Sequence, residues 1–199
     1  MASRKNPYAR PDHLTRAAKG AGFPARSVFK LEEIDRRARL LRGGMRVLDL
    51  GAAPGSWSLY AAQRIGLNGR LLAIDRQPIG VSLPPQATFL QGDAFALSSD
   101  ALSAFAPYDV VLSDMAPNTT GSRVTDQARS FELFMHALAV AGRLSGQGAS
   151  FVGKIFMSDD LRAARLELKR LYATERLIRP EGTRAGSTEI FLIGTQKRE

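Results

Sequence analysis

The chain has 199 residues, 44% hydrophobic and 24% charged, with a net charge of +9. That is enough for one domain with a sizeable core, and no apolar run approaches the roughly 18 residues of a membrane span. The absence of cysteine excludes disulfides, thiolate metal sites and catalysis through a cysteine adduct.

With only His13 and His136, no metal site is expected either. The charge is uneven: residues 1–42 carry a net +7, residues 43–161 a net −2 and residues 162–199 a net +4. A chain basic at both ends suits a polyanion such as nucleic acid. Residues 1–24 mix Arg, Lys, Pro and Gly without periodicity and read as a mobile basic arm. They lack the apolar core of a secretory signal. Residues 25–199 read as one domain with no repeat or linker.

Leu31, Ile34 and Ala38 recur at helical spacing after Ser27, with Lys30 beside the stripe. Gly43-Gly44 ends that helix. Residues 46–50 form a short apolar strand that runs into Gly51-Ala52-Ala53-Pro54-Gly55, with Ser56 placed to cap the next helix. Gly51 and Gly55 permit a tight turn, free N–H groups and close approach of a ligand. The spacing matches neither G-x-G-x-x-G nor G-x-x-x-x-G-K-[ST]. It suits a compact ligand without a pyrophosphate, such as S-adenosylmethionine, over a nicotinamide dinucleotide.

A second strand ends at Asp75, 24 residues after Gly51, near the interval at which α/β nucleotide binders hold ribose hydroxyls. A third strand leads to Asp93 and to Phe95, which lies either beside an adenine or in the core. Residues 96–107 are read as a helix and connection. The fourth strand ends at Asp114, followed by Met115-Ala116-Pro117-Asn118 and a polar loop over 119–125. Phe131, Phe134, Met135, Leu138 and Ala141 mark an amphipathic helix, with His136 off the stripe and read as a surface residue. The fifth strand carries Lys154. A lysine inside an apolar strand must reach water, a counter-ion or a function. After a further helix and strand, the last strand carries Glu189 at its apolar start.

Taken together, these stretches resemble the FtsJ-like ribosomal RNA 2′-O-methyltransferases. The resemblance rests on Arg26-Ser27-Val28-Phe29-Lys30-Leu31, on residues 48–58, on Ser113-Asp114-Met115-Ala116-Pro117-Asn118, on Lys154-Ile155-Phe156 and on Ser187-Thr188-Glu189. It runs from about residue 13 to the end of the chain. It implies a single-domain Rossmann-like α/β methyltransferase fold. The sheet has seven mostly parallel strands, the last antiparallel, and helices on both faces. It also implies a catalytic tetrad of Lys30, Asp114, Lys154 and Glu189. Cofactor contacts fall on Gly51, Gly55, Trp57, Asp75, Asp93 and Asp114, with S-adenosyl-L-methionine as donor. Two positions depart from the pattern: Ser56 stands where bacterial members often have glycine, and Gly153 where a bulkier residue is expected.

The chemistry agrees with these residue types. A ribose hydroxyl is a poor nucleophile and benefits from losing its proton. Burial and a neighbouring cation favour the uncharged amine that a lysine base requires. Lys154 is read as the base, Lys30 as that cation, Asp114 as the group orienting Lys154, and Glu189 as positioning a lysine or the ribose. The expected substrate is a uridine of large-subunit ribosomal RNA. The alternatives are transfer RNA, or a non-catalytic RNA-binding role in ribosome assembly. A cytoplasmic monomer is expected, with no DNA or membrane partner.

Overall fold

In a computed structural model of the chain, residues 12–184 and 186–199 are described. The strands that read as unbroken apolar runs are buried on both faces. They are β1 (Arg46–Leu50), β2 (Arg70–Asp75), β4 (Tyr108–Ser113), the second half of β5 (Ser145–Phe156) and most of β7 (Glu189–Lys197). Such strands belong in a sheet covered by helices on both sides. With β3 (Ala87–Gln91) and β6 (Tyr172–Ile178) they make one seven-stranded sheet, in the order β3-β2-β1-β4-β5-β7-β6. The first five strands in that order are parallel, and β7 runs antiparallel to both β5 and β6. The expected fold class and the reversed last strand are both present.

Two cores sandwich the sheet. On one face Leu31 and Ile34 of α2 (Val28–Ala38) and Trp57, Ala61 and Ile65 of α3 (Ser56–Ile65) pack against Val47, Leu112, Val152 and Phe191. On the other, Phe134 and Leu138 of α5 (Arg123–Leu144) and Ala164 and Leu168 of α6 (Leu161–Leu171) meet Leu48, Val111, Phe151 and Ile155. Gly153 follows from this second face. A Cβ there would stand 2.7 Å from the Phe151 ring and 2.8 Å from the Phe134 ring, which meet edge to face at 5.6 Å. The two rings occupy the volume that a bulkier residue would need.

Several local expectations are corrected. Residues 13–20 are not part of a loose arm: they form α1 (His13–Gly20), whose N-cap Asp12 accepts the Thr15 N–H at 2.8 Å. Ala18 is fully buried, and Arg26 bonds both Asp12 and the Gly182 carbonyl. The rest of the expected arm, residues 1–11, lies outside the described residues. The stretch 96–107 holds only one helical turn, α4 (Ser99–Leu102). The polar loop expected to extend to 125 stops at 122, because Ser122 caps α5 through the Thr125 N–H. Asp35, which nothing in the pattern singled out, is 4% exposed. It accepts the Leu40 and Leu41 N–H groups, the Tyr60 hydroxyl and the Arg64 Nε–H, fixing the end of α2 to α3. Among the described residues no helix is long and apolar enough to cross a membrane.

Candidate active site

The strand order reverses between β1 and β4, and open α/β sheets bind ligands beyond the strand ends at such a point. The loop leaving β1 is closed on itself. Gly51 and Ala52 both donate to the Ile74 carbonyl (2.9 and 3.0 Å), and Gly55 donates to the Ala52 carbonyl (2.7 Å). Ala53 donates to Asp75 Oδ2 (2.9 Å). The free N–H groups expected here are therefore spent on the protein, and the loop is no cradle for a pyrophosphate. The glycines also serve the fold. Gly51, at φ +81°, faces the Met115 backbone 2.8 Å from where its Cβ would lie, and Gly55, at φ +107°, faces Val81 at 2.5 Å.

Beside this loop opens a cavity of about 450 Å³ lined by Gly51, Asp75, Asp93, Phe95, Asp114 and Lys154, among others. Cofactor sites are typically ~300–1,000 Å³. Three carboxylates face it against two cations, Lys154 and Arg76. Such a lining repels a dinucleotide pyrophosphate and suits a ligand carrying a sulfonium and an ammonium, with ribose hydroxyls to donate to the acids. Asp75 also accepts the Gln77 N–H at 2.8 Å, so one oxygen holds the glycine loop and the other the turn after β2. Each oxygen keeps a second lone pair. Phe95 is not core: it is 49% exposed at the cavity wall. His136 is not a surface residue. It is half-buried, its ring stacks on Phe95 at 3.7 Å and 18°, and its Nε2 lies 3.3 Å from the Ala94 carbonyl.

Gly55 and Trp57 do not line the cavity. Trp57 is 2% exposed, tilts against Phe191 at 5.6 Å, and gives its indole N–H to the Ser27 carbonyl at 2.9 Å. Next to it, Ser56 is no helix cap, that position being Gly55. Its Oγ accepts the Ala25 N–H (2.9 Å) and donates to the Ala25 carbonyl (3.1 Å). The start of α3 thus grips residues 25–27, just ahead of α2 and Lys30. Nothing in the helical or strand periodicity signals these side-chain-to-backbone bonds.

The four charged residues of the expected tetrad come from four elements. Lys154 and Phe156 share a face of β5. Across the strand pair, Phe156 faces Glu189 and Lys154 faces Phe191, so Lys154 and Glu189 are diagonal neighbours, roughly 7–8 Å apart along the backbone. Asp114 follows β4 in register with the residue after Gly153. Lys154 Nζ donates to the Asp114 carbonyl at 2.6 Å and to its Oδ1 at 3.0 Å. Lys30 Nζ sits 2.6 Å from Glu189 Oε1, but not along a hydrogen-bonding direction of that buried oxygen. Lys154 and Glu189 are 7% and 8% exposed. Each lysine thus has its own acid. Under the glycine loop, Asp49 is fully buried and accepts the Ser58 hydroxyl at 2.6 Å. Burial, and then the nearby Asp114 and Asp75 charges, push its carboxyl up to about 7 against the Ser58 bond.

Comparison with known proteins places this geometry. Residues 23–197 match the model of the FtsJ-like methyltransferase family. A protein of Sorangium cellulosum called ribosomal RNA large subunit methyltransferase E is 66% identical over 194 residues, 98% of this chain and 92% of that one. One of the same description from Nitratidesulfovibrio vulgaris is 51% identical, covering 92% of each. Among solved structures, a Plasmodium falciparum chain described as a ribosomal RNA methyltransferase superposes with a TM-score of 0.73. It is 21% identical and covers 87% of this chain and 99% of that one, which speaks to the fold.

Proposed function

The chain belongs to the FtsJ-like methyltransferase family, and from that premise we propose that it methylates a ribose 2′-hydroxyl of large-subunit ribosomal RNA. The observation that carries this reading is the meeting of Lys30, Asp114, Lys154 and Glu189 as two ion pairs, with Lys154 and Asp114 in the wall of the carboxylate-lined cavity. Asp75, Asp93 and the Phe95 ring, which line that cavity, would hold S-adenosylmethionine, which would supply a methyl group already activated on a sulfonium.

The protein's own part is to hold the hydroxyl and take its proton. The ion-paired Lys154 is an ammonium with no lone pair, so to act as base it first gives up one proton to solvent; the amine that remains has two N–H bonds and one lone pair. The two contacts to Asp114 use both N–H bonds, which leaves the lone pair turned away from Asp114 to accept the 2′-hydroxyl proton. Lys154 takes the proton that the 2′-oxygen loses as it accepts the methyl group, and passes it on to solvent. Lys30 holds Glu189 at Oε1, and Glu189 in turn orients the ribose. Enclosing these groups between sheet and helix keeps them in one geometry, which supplies much of the rate.

Single-turnover methylation with Lys154→Met tests this. The expected loss is about 10²–10⁴-fold, the range of a general base, with cofactor affinity within about twofold of the parent. A folded, cofactor-binding Lys154→Met protein that methylates at the parental rate contradicts the assignment.

A further inference from the structure

The mechanism above leaves a second depression unused. A groove of about 690 Å³ is bounded by Thr119, Arg123, Phe156, Arg184, Ser187 and Thr188, among others. Arg184 and Ser187 also line the neighbouring 330 Å³ cavity that contains Lys30 and Glu189, and Thr188 runs straight into Glu189. Phe156, the cross-strand partner of Glu189, is the aromatic residue of its lining. Arg123 enters from the first turn of α5 and Arg184 from the segment before β7, so the two cations belong to separate elements. Val124 and Met157 leave apolar surface exposed beside it, 77% and 43% respectively.

The one acid among the described lining residues is Asp126. Its Oδ1 accepts both the N–H and the hydroxyl of Thr120 (2.8 and 2.9 Å), so it is committed to its own loop. The groove lining thus carries two guanidinium groups against one carboxylate, together with the Phe156 ring. That is the combination by which proteins hold single-stranded nucleic acid: guanidinium groups on phosphates and a ring or apolar face under a base.

We propose that this groove binds the single-stranded RNA flanking the target nucleotide, with Arg123 and Arg184 each against a backbone phosphate and a neighbouring base over Phe156. The proposal rests on the RNA methyl-transfer reading above and adds where the strand runs. It also requires that neighbouring base to lie outside a duplex, since the face of a base stacked within a helix is not open to Phe156.

The test compares Arg123→Gln and Arg184→Gln with Arg143→Gln. The last removes the same charge at the other end of α5, about 30 Å away. Methylation of ribosomal RNA, binding of a single-stranded RNA oligonucleotide across a salt series, and cofactor affinity are measured for each. Both groove variants are expected to raise KM for RNA roughly tenfold, the scale of one charge-assisted hydrogen bond. They leave kcat and cofactor affinity within about twofold. Each also lowers the slope of log affinity against log salt by about 0.7. Arg143→Gln changes none of these. Groove variants with the parental KM and salt slope overturn the proposal, as does a fall in kcat at unchanged KM. A parent protein that binds the cofactor but labels no RNA refutes the functional reading instead, so the two failures are distinguishable.

Discussion

Lys154 and Glu189 were legible in the sequence for one physical reason: each is a charge in a stretch otherwise apolar enough to be buried on both faces. Lys30 was only half legible, because helical spacing set it beside the stripe without saying which way it turns. His136 was misread, since periodicity describes the helix face toward the core and not the ring of Phe95 reaching over from another loop. That stack has a measurable consequence. Phe95→Ala should raise the cofactor Kd about fivefold with little change in kcat, as expected for a lost aromatic face worth roughly 1 kcal/mol. His136→Ala should give a smaller rise, and His136→Phe should restore the parental value. Calorimetry with S-adenosylmethionine reads all three.

Asp49 adds a pH dependence. Its carboxyl titrates in the folded protein at about 7 against an ordinary 3.8, so the folded state holds its proton more tightly than the unfolded chain. The associated stability is fully present below about pH 4 and is lost as pH rises through about 7. Its scale is on the order of a few kcal/mol. Asp49→Asn should flatten the stability profile across that window and be the more stable protein at pH 8. Urea titrations at pH 5 and pH 8 decide it; an identical pH profile in parent and variant contradicts it.

At the scale of elements, the strands were readable because doubly buried strands are short, apolar and bounded by turns. The ends of elements were not, because caps and clasps are made by single side chains. Ser56 reads as a cap and is instead a clasp on Ala25. Trp57 reads as a cofactor contact, and its indole N–H is given to the Ser27 carbonyl. The departure from glycine at position 56 thus has a purpose in this chain: the hydroxyl anchors the lead-in to α2, and through α2 the position of Lys30. Trp57→Phe keeps an aromatic ring but removes the indole donor from a carbonyl. It should cost about 1 kcal/mol of stability and lower kcat several-fold, with cofactor affinity unchanged. A loss of cofactor affinity at unchanged kcat would instead mark Trp57 as a cofactor contact. On the opposite face, Gly153→Ala should destabilise by about 1–3 kcal/mol, because the methyl group must displace the Phe134–Phe151 pair.

For the molecule as a whole, the topology followed from the order of strands and helices, and the resemblance of five ordered motifs supplied the reversal of the last strand. The N-terminal boundary did not follow. His13–Gly20 has little apolar surface of its own and is held by Ala18, by its Asp12 cap and by Arg26, contacts that only the folded chain creates. The charge asymmetry read from composition acquires a location: the acidic middle of the chain supplies the carboxylates of the cofactor cavity. Basic residues from outside that middle, Arg26, Lys30 and Arg184, gather at the cavity beside Glu189. A molecule built this way presents carboxylates suited to a cationic donor at the cavity that Lys154 lines and basic groups suited to a polyanion at the cavity beside Glu189.

The most direct measurement is the transfer of a labelled methyl group from S-adenosylmethionine to three substrates in parallel, with the product nucleotide identified. The substrates are ribosomal subunits lacking the modification, protein-free ribosomal RNA, and transfer RNA. Label on a ribose 2′-oxygen of large-subunit RNA, lost with Lys154→Met, is the result this account predicts. Label on transfer RNA alone would keep the chemistry and contradict the substrate. Bound cofactor with no label on any RNA would contradict the central claim.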